Sequence, residues 1–495
     1  MEILITTLIL IVIVSRLVPN LKEKKAFTYI SFAAGILIPV HLIVDGYRWH
    51  MIPIFIFTVG LILLSLIQFN RPVQKEFLIR NKITRNISNS FLLLIFVLSV
   101  ILPFLLPVIN LPKPGGLYAV GTTSFRMIDY ERKEIFTKDS KDFRNILITA
   151  WYPADREKGL SVSTYWDKYG VTGKTYSINA GMGTFWYSHL SLVKTNSYTG
   201  AALSSDRKSY PLIIYSPSFY GLNTENTILI EELASQGYIV FSIAHTFETI
   251  VSVFPDGESV SGNLEYISEQ FDSNADLEEQ LYTDYANASE TDEKIEIVKQ
   301  ILVIDEMSTQ LLKTRTEDAI FVLNQIEQLN FNEGIFKSKL DLNQIGIFGW
   351  SFGGAVAEDA CIADNRFKAG INIDGWPYGE LFNTDEAINQ PFMIIRSDTN
   401  DEMEDIISNL VFEKNKNSAY LLSIENAWHM NFWDFPWFFK VYKYFGYWGP
   451  IDPLRLLEIE RIYITGFFDK HLIGKDVEML DESFDLFTEL NIKVK

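Results

Sequence analysis

Apolar residues fall into two regimes along the chain. Up to about residue 110 they come in long runs, Ile3–Ser15, Ala26–Val44, Met51–Gln68 and Phe91–Ile109. The last three have the length a helix needs to cross a hydrocarbon core of about 30 Å. The first is shorter and spans only if Arg16 snorkels and Leu17–Val18 are included. No basic residue precedes it and no small-residue cleavage site follows, so it reads as a retained helix, not a cleaved leader. Pro39, Pro53, Pro103 and Pro107 are tolerable inside membrane helices. No Asp, Glu, Lys or Arg sits mid-span, which argues against an ion pathway, and His41 reads as a packed or interfacial histidine in preference to a proton relay.

After the Pro/Gly break Leu111-Pro-Lys-Pro-Gly-Gly116, the apolar runs become short and rich in β-formers. They are Asn145–Tyr152, Tyr210–Tyr215, Tyr238–Ile243, Gln344–Phe348, Phe367–Ile373, Pro391–Ile395 and Ala419–Ile424. Near-continuous apolar runs suit strands buried on both faces. Helical patterns lie between many of them, at Thr227–Gln236 and Thr314–Leu329. This alternation predicts an α/β domain with a mostly parallel sheet and helices on both faces. Two domains follow: a membrane region over 1–112 with three or four transmembrane helices, and an α/β domain over 113–495. Asn263–Thr314 interrupts the alternation with an acidic, helical stretch that is either a cap over a pocket or a surface insertion.

Charge sharpens the division. Residues 1–112 carry 10 Lys+Arg against 4 Asp+Glu, and the remainder 33 against 58, or about +6 and −25. The acidic part lacks the basic face that a nucleic-acid partner requires. Lys22, Lys24 and Lys25, and the group Arg71, Lys75, Arg80, Lys82 and Arg85, mark two loops as cytoplasmic and place the α/β domain outside the cytoplasm. The single cysteine, Cys361, excludes an intrachain disulfide and reads as a buried helix residue.

The chemistry concentrates in Ile345-Gly-Ile-Phe-Gly-Trp-Ser-Phe-Gly-Gly-Ala-Val-Ala357. An apolar strand runs into Gly349-Trp-Ser-Phe-Gly353, and a helical run follows. This is the G-x-S-x-G nucleophile elbow of the α/β-hydrolase fold, in its strand–turn–helix context. Gly349 and Gly353 permit the close passage of strand and helix. A serine hydroxyl needs a base, and in this fold the acid and the histidine follow the serine. Of His189, His245, His429 and His471, the last two follow Ser351. His429 lies on a loop after a strand, whereas His471 belongs to an amphipathic terminal helix. Asp374 and Asp398 each end a parallel strand, where such sites form, and spacing does not choose between them. One oxyanion donor is the N–H of Phe352. The other belongs to the loop Ser216–Gly221.

From about Val120 to Leu472 these segments resemble the platelet-activating factor acetylhydrolase family, plasma and intracellular type II branch. The resemblance rests on Trp151-Tyr-Pro153, on Ser216–Gly221 followed by Glu232–Val240 and His245, on Gly349-Trp-Ser-Phe-Gly-Gly354, on Phe367–Trp376, on His429–Phe435 and on Phe467–Leu472. It implies Asp374 as the acid, Phe219 as the second oxyanion donor, no metal or other cofactor, and short-acyl or lipid-like ester substrates cleaved through an acyl-enzyme. The chain departs from the family pattern at Pro217-Ser218, where His-Gly is frequent, and at Trp350, where His is common.

Trp428–Trp448 holds 12 aromatic residues in 21 positions. A packed helix filling the core is the simpler reading, and a pocket wall touching lipid at a bilayer interface the other. Two competing functions stand beside the ester hydrolase: a transporter or sensor working through the membrane region, and a non-catalytic pseudo-hydrolase. Nothing in the sequence speaks to the oligomeric state.

Overall fold

The near-continuous apolar runs fold as the middle of a single large sheet. The structure, a computed structural model, describes residues 2–17, 24–69, 82–155, 159–270, 274–332, 334–378, 387–398, 401–480 and 486–495. The chain forms two compact units, one comprising Met1–Ile109 with Gly183–Val193 and the other Asn110–Met182 with Lys194–Lys495.

Among the described residues the first unit contains four α-helices, α1 (Glu2–Leu17), α2 (Lys24–Val44), α3 (Ile52–Phe69) and α4 (Lys82–Leu105). Among the described residues one helical span, Trp49–Ile67, is long and apolar enough to cross a membrane. Glu2–Ser15, Thr28–Val44 and Asn89–Leu105 are shorter apolar helices. The fourth run therefore ends earlier than its apolar composition suggested. Pro107 disfavours helix at the residue before it, and α4 stops at Leu105. Lys22, Arg71, Lys75 and Arg80, on which the topology expectation leans, lie outside the described residues. Gly183–Val193 joins this unit through aromatic packing. Trp49 meets Phe185 at 4.8 Å and Trp186 at 5.1 Å between ring centres, and His50 meets His189 at 5.2 Å.

In the second unit the strands are β1 (Ala119–Lys133), β2 (Phe143–Ala154), β3 (Val162–Thr164), β4 (Lys194–Thr199), β5 (Tyr210–Ser216), β6 (Ile239–Ala244), β7 (Val251–Val253), β8 (Ser259–Ser261), β9 (Leu340–Trp350), β10 (Phe367–Ile373), β11 (Phe392–Asp398), β12 (Ala419–Glu425) and β13 (Leu490–Val494). Eleven of these form one sheet in the order β13-β12-β11-β10-β9-β5-β6-β2-β1-β4-β3, and β7 and β8 pair as a separate ribbon. From β6 to β12 the neighbours are parallel, while β2 and β13 pair antiparallel at the flanks of that block. Each predicted apolar run lies within one of these strands or overlaps it by all but one residue. The added strands β1 and β13 alternate or expose their side chains, as strands near the margin of a sheet do.

The helices are α5 (Val171–Asn179), α6 (Thr227–Gln236), α7 (Leu264–Gln270), α8 (Ala275–Asn287), α9 (Thr291–Ile304), α10 (Glu306–Phe331), α11 (Phe352–Ala363), α12 (Glu402–Lys414), α13 (Phe435–Phe438) and α14 (Pro453–Phe468). Two apolar clusters hold the sheet. Ile347 joins α9, α10 and α12 side chains in one, and Phe348 joins α6 and α14 side chains in the other. Burying each such side chain contributes about 1.5–3 kcal/mol. The acidic stretch 263–314 supplies α7, α8, α9 and the start of α10. Ile297, Val298, Ile301 and Leu302 on α9 sink into the first cluster, so α9 packs on the core.

The aromatic stretch is not one packed helix. It breaks into a 3-10 turn, α13 and a second 3-10 turn ending at Gly446. Phe432, Phe435, Phe438, Phe439 and Trp448 are buried, whereas Tyr444, Phe445 and Tyr447 are exposed.

Candidate active site

β9 is fully buried from Ile345 to Trp350, which brings Ser351 to the carboxyl end of the sheet. The backbone reverses there with Ser351 at φ 56° and ψ −125°, a left-handed-side conformation that costs a non-glycine residue about 1–3 kcal/mol. The surrounding glycines make the reversal possible. A Cβ on Gly353 would sit 2.0 Å from the Ser216 carbonyl oxygen, and one on Gly349 would sit 2.1 Å from the Gly353 carbonyl oxygen. Strand, helix and the end of β5 therefore meet where only glycine fits.

The end of β10 is fixed around this turn. The Ser351 N–H donates to the Ile373 carbonyl at 2.7 Å, and the Asp374 N–H to that of Ile395 at 2.7 Å. Asn372 braces the reversal: its Oδ1 accepts from the Gly375 N–H at 2.8 Å and its Nδ2 donates to Glu358 at 2.5 Å. Asp374 itself adopts φ 55°.

Three side chains converge. His429 Nε2 lies 3.0 Å from Ser351 Oγ, and His429 Nδ1 lies 2.8 Å from Asp374 Oδ2. The other carboxylate oxygen of Asp374 accepts from the Ser397 N–H at 2.7 Å and from its hydroxyl at 3.0 Å. Asp398 ends β11 beside Glu425 and makes no hydrogen bond to His429. His429 opens a 3-10 turn after β12. Asn431 ties that turn by accepting from the N–H groups of Trp428 at 2.8 Å and Gly449 at 2.7 Å. Burial pushes the His429 imidazole down, but the hydrogen bond and charge of Asp374 outweigh it, so its pKa is raised above 6.5. Its ring lies 5.2 Å from that of Trp350, which stacks on Trp433 at 5.9 Å.

Ser351 and His429 open on a cavity of about 280 Å³, walled by Tyr176, Phe219, Ile250, Trp350, Met430 and Trp433. No described residue of 263–314 lines it. Phe219 and Phe352 face each other with rings 6.1 Å apart. Phe352 begins α11, where an N–H has no intrahelical acceptor. Glu225, fully buried, accepts from the Ser218 N–H at 2.6 Å and from its hydroxyl at 3.0 Å. Burial pushes its carboxyl up to about 7 against those hydrogen bonds. A larger apolar groove of about 520 Å³ between α3 and α4 has no titratable side chain in its wall.

The remaining histidines lie elsewhere. His471 sits 3.1 Å from the Tyr420 hydroxyl, and His189 belongs to the first unit. His245 is sealed in the core between Asp318 and Ser216. Cys361 is buried on α11. Among the described residues no group of His, Cys, Asp and Glu is arranged to hold a metal ion. Sequence reasoning missed Ser397, Asn372, Glu225 and Arg315. Arg315 alone left a trace, as a cation inside an otherwise core-directed helical pattern.

Residues 107–489 match the family described as platelet-activating factor acetylhydrolase, isoform II. The chain is 25% identical over 396 residues to platelet-activating factor acetylhydrolase of Gallus gallus, covering 76% of this chain and 87% of that protein. It is 23% identical over 401 residues to a probable 1-alkyl-2-acetylglycerophosphocholine esterase of Arthroderma benhamiae, covering 75% and 90%. Among solved structures it shares its fold with a ferulic acid esterase from Streptomyces cinnamoneus, at a TM-score of 0.60 and 23% identity, covering 78% of this chain and 99% of that one. With the sheet order, the strained turn and these relatives in agreement, the chain is a carboxylic ester hydrolase and belongs to the platelet-activating factor acetylhydrolase, isoform II family.

Proposed function

We propose that the chain hydrolyses short-acyl or lipid-like carboxylic esters through a serine acyl-enzyme. The observation that carries this reading is the chain of contacts Ser351–His429–Asp374, both at hydrogen-bond length, with Ser351 and His429 on the cavity wall and Asp374 behind them. Asp374 holds the proton of His429 on Nδ1, which leaves Nε2 free to accept from Ser351. Ser351 Oγ attacks the acyl carbon as its proton passes to His429. The oxyanion so formed receives the N–H groups of Phe219 and Phe352. Collapse expels the alcohol with the proton from His429. Water, deprotonated by His429, then releases the acid and restores Ser351. The relatives' acetyl ester substrates and the modest cavity both favour a short acyl group.

The test is fluorophosphonate labelling of the full chain, with Ser351→Ala as control and p-nitrophenyl esters of graded length as substrates. Labelling at Ser351 with a short-chain optimum is the expected result. Turnover retained by Ser351→Ala sinks the assignment.

We also propose that the first unit anchors the protein to a bilayer, with the hydrolase unit outside the cytoplasm. Its support is the span Trp49–Ile67, the outward-facing Ile36, Ile43, Ile56 and Phe104, and the Lys/Arg bias of the sequence. Carbonate extraction of membranes should leave the protein in the pellet, and protease added to intact cells should digest the hydrolase unit. A soluble fraction after extraction refutes the anchor.

A further inference from the structure

Arg315 is a fully buried cation on α10, a helix that contributes no expected catalytic residue. Its Nη1 donates to the carbonyls of Pro217 at 3.0 Å and Ser218 at 3.1 Å. Both belong to the loop that follows β5 and carries Phe219. The Ser218 carbonyl and the Phe219 N–H are the two ends of one planar trans peptide and so point in opposite directions. Fastening the carbonyl to Arg315 therefore turns the Phe219 N–H away from the guanidinium. The preceding peptide is held at both ends, its carbonyl on Arg315 and its Ser218 N–H on Glu225 at 2.6 Å.

The loop has a turn bond of its own, from the Gly221 N–H to the Ser218 carbonyl at 3.0 Å, but the Pro217 carbonyl is held from outside by Arg315. This loop has no glycine before Gly221, and Tyr220 takes φ 56°, which a non-glycine residue keeps only when its surroundings impose it. The guanidinium is itself fixed. Its Nε donates to Glu248 Oε2 at 3.1 Å and its Nη2 to the Glu248 carbonyl at 3.3 Å. Its central carbon lies 5.0 Å from the centre of the Phe352 ring. One side chain thus touches the peptide of Phe219 and the ring of Phe352. A cation kept only for its ion pair would need Glu248 and nothing more.

We propose that Arg315 is a positioning residue for ester hydrolysis, holding the 217–219 peptides so that the Phe219 N–H meets the developing oxyanion. The proposal rests on the serine-hydrolase reading of the cavity. It is tested in the full chain with Arg315→Met and Arg315→Lys. The readouts are kcat and KM for p-nitrophenyl acetate, Tm, and inhibition by a trifluoromethyl ketone, which builds an oxyanion on the serine. Arg315→Met should lower kcat about 10- to 100-fold and weaken the ketone by a similar factor, with KM within threefold. Arg315→Lys, which keeps the charge but not the fork, should recover part of both. A folded Arg315→Met with kcat and ketone affinity within twofold of the parent, and only Tm lowered, overturns the proposal. If Arg315→Met does not fold, Arg315→Lys decides: reduced kcat and ketone affinity support the proposal, and unchanged values overturn it. Wild-type protein without turnover or labelling sinks the serine-hydrolase reading and this proposal together. An active wild type with unimpaired variants sinks this proposal alone.

Discussion

The second unit contains two Ser–His–Asp arrangements whose bond lengths are the same. Ser351, His429 and Asp374 are joined at 3.0 and 2.8 Å, and so are Ser216, His245 and Asp318. Their surroundings separate them. The first opens on a cavity from a strained turn. The second is sealed, with His245 and Asp318 wholly buried. Besides His429, Asp374 accepts from the neutral Ser397, which leaves its charge to act on His429, whose pKa rises. Asp318 is shared with Arg144 and Arg132. Burial, with Arg315 and Arg144 nearby, drives His245 down to about 3 against the pull of Asp318. Bond geometry alone therefore does not make a proton relay; access and the competing partners of the acid do.

The largest difference should appear on removing the hydroxyls. Ser351→Ala should lower ester turnover by about 10⁴-fold or more, whereas Ser216→Ala should keep it within about threefold and lose about 1 kcal/mol of stability. Comparable losses from both, in p-nitrophenyl acetate assays, would erase the distinction. The acids come next. Asp374→Asn should reduce kcat by about 10³- to 10⁴-fold by favouring the wrong tautomer, and Asp398→Asn should stay within twofold. A reversed ranking would reassign the acid.

The pH response sharpens the contrast further. On the proposed mechanism His429 has to be neutral to accept the serine proton, and its pKa is raised above 6.5. Turnover should thus fall as pH drops through a midpoint above 6.5, and a midpoint below 6 in a kcat/KM profile would contradict the Asp374 contact. His245 acts on stability instead. Its folded pKa is depressed, so between pH 6.5 and about 3 the unfolded chain binds the extra proton. Stability should accordingly fall with falling pH in that window, by at most about 1.4 kcal/mol per pH unit from this group. His245→Gln should flatten that part of the urea-denaturation profile; an unchanged slope would mean another group carries it.

The parallel strands were legible because burial on both faces leaves an almost unbroken apolar run, as in Phe367–Ile373, which is β10 to the residue. The elbow was legible because only glycine fits at Gly349 and Gly353, so the backbone geometry is written into residue type. What remained hidden depends on contacts distant in sequence. Asp374 and Asp398 each end a parallel strand, and spacing does not choose between them; the family resemblance pointed to Asp374, and the 2.8 Å contact with His429 is made by Asp374. Glu225 carries no signal along the chain, and the trace left by Arg315 has no meaning until the loop carbonyls it holds are seen. The strand β1, mixed polar and apolar, carries no run at all.

The recruitment of Gly183–Val193 into the first unit makes that unit discontinuous along the chain. During synthesis its four α-helices emerge before Gly183–Val193, and Trp186 follows its partner Trp49 by 137 residues, after the first strands of the other unit. The order of translation is therefore not the order of completion. Until the hydrolase sequence has begun to emerge, Trp49 and His50 lack their partners Phe185, Trp186 and His189. A gene cut at the apparent boundary would separate neither unit cleanly: one fragment would lack its last piece, and the other would carry Phe185 and Trp186 with nothing to receive them.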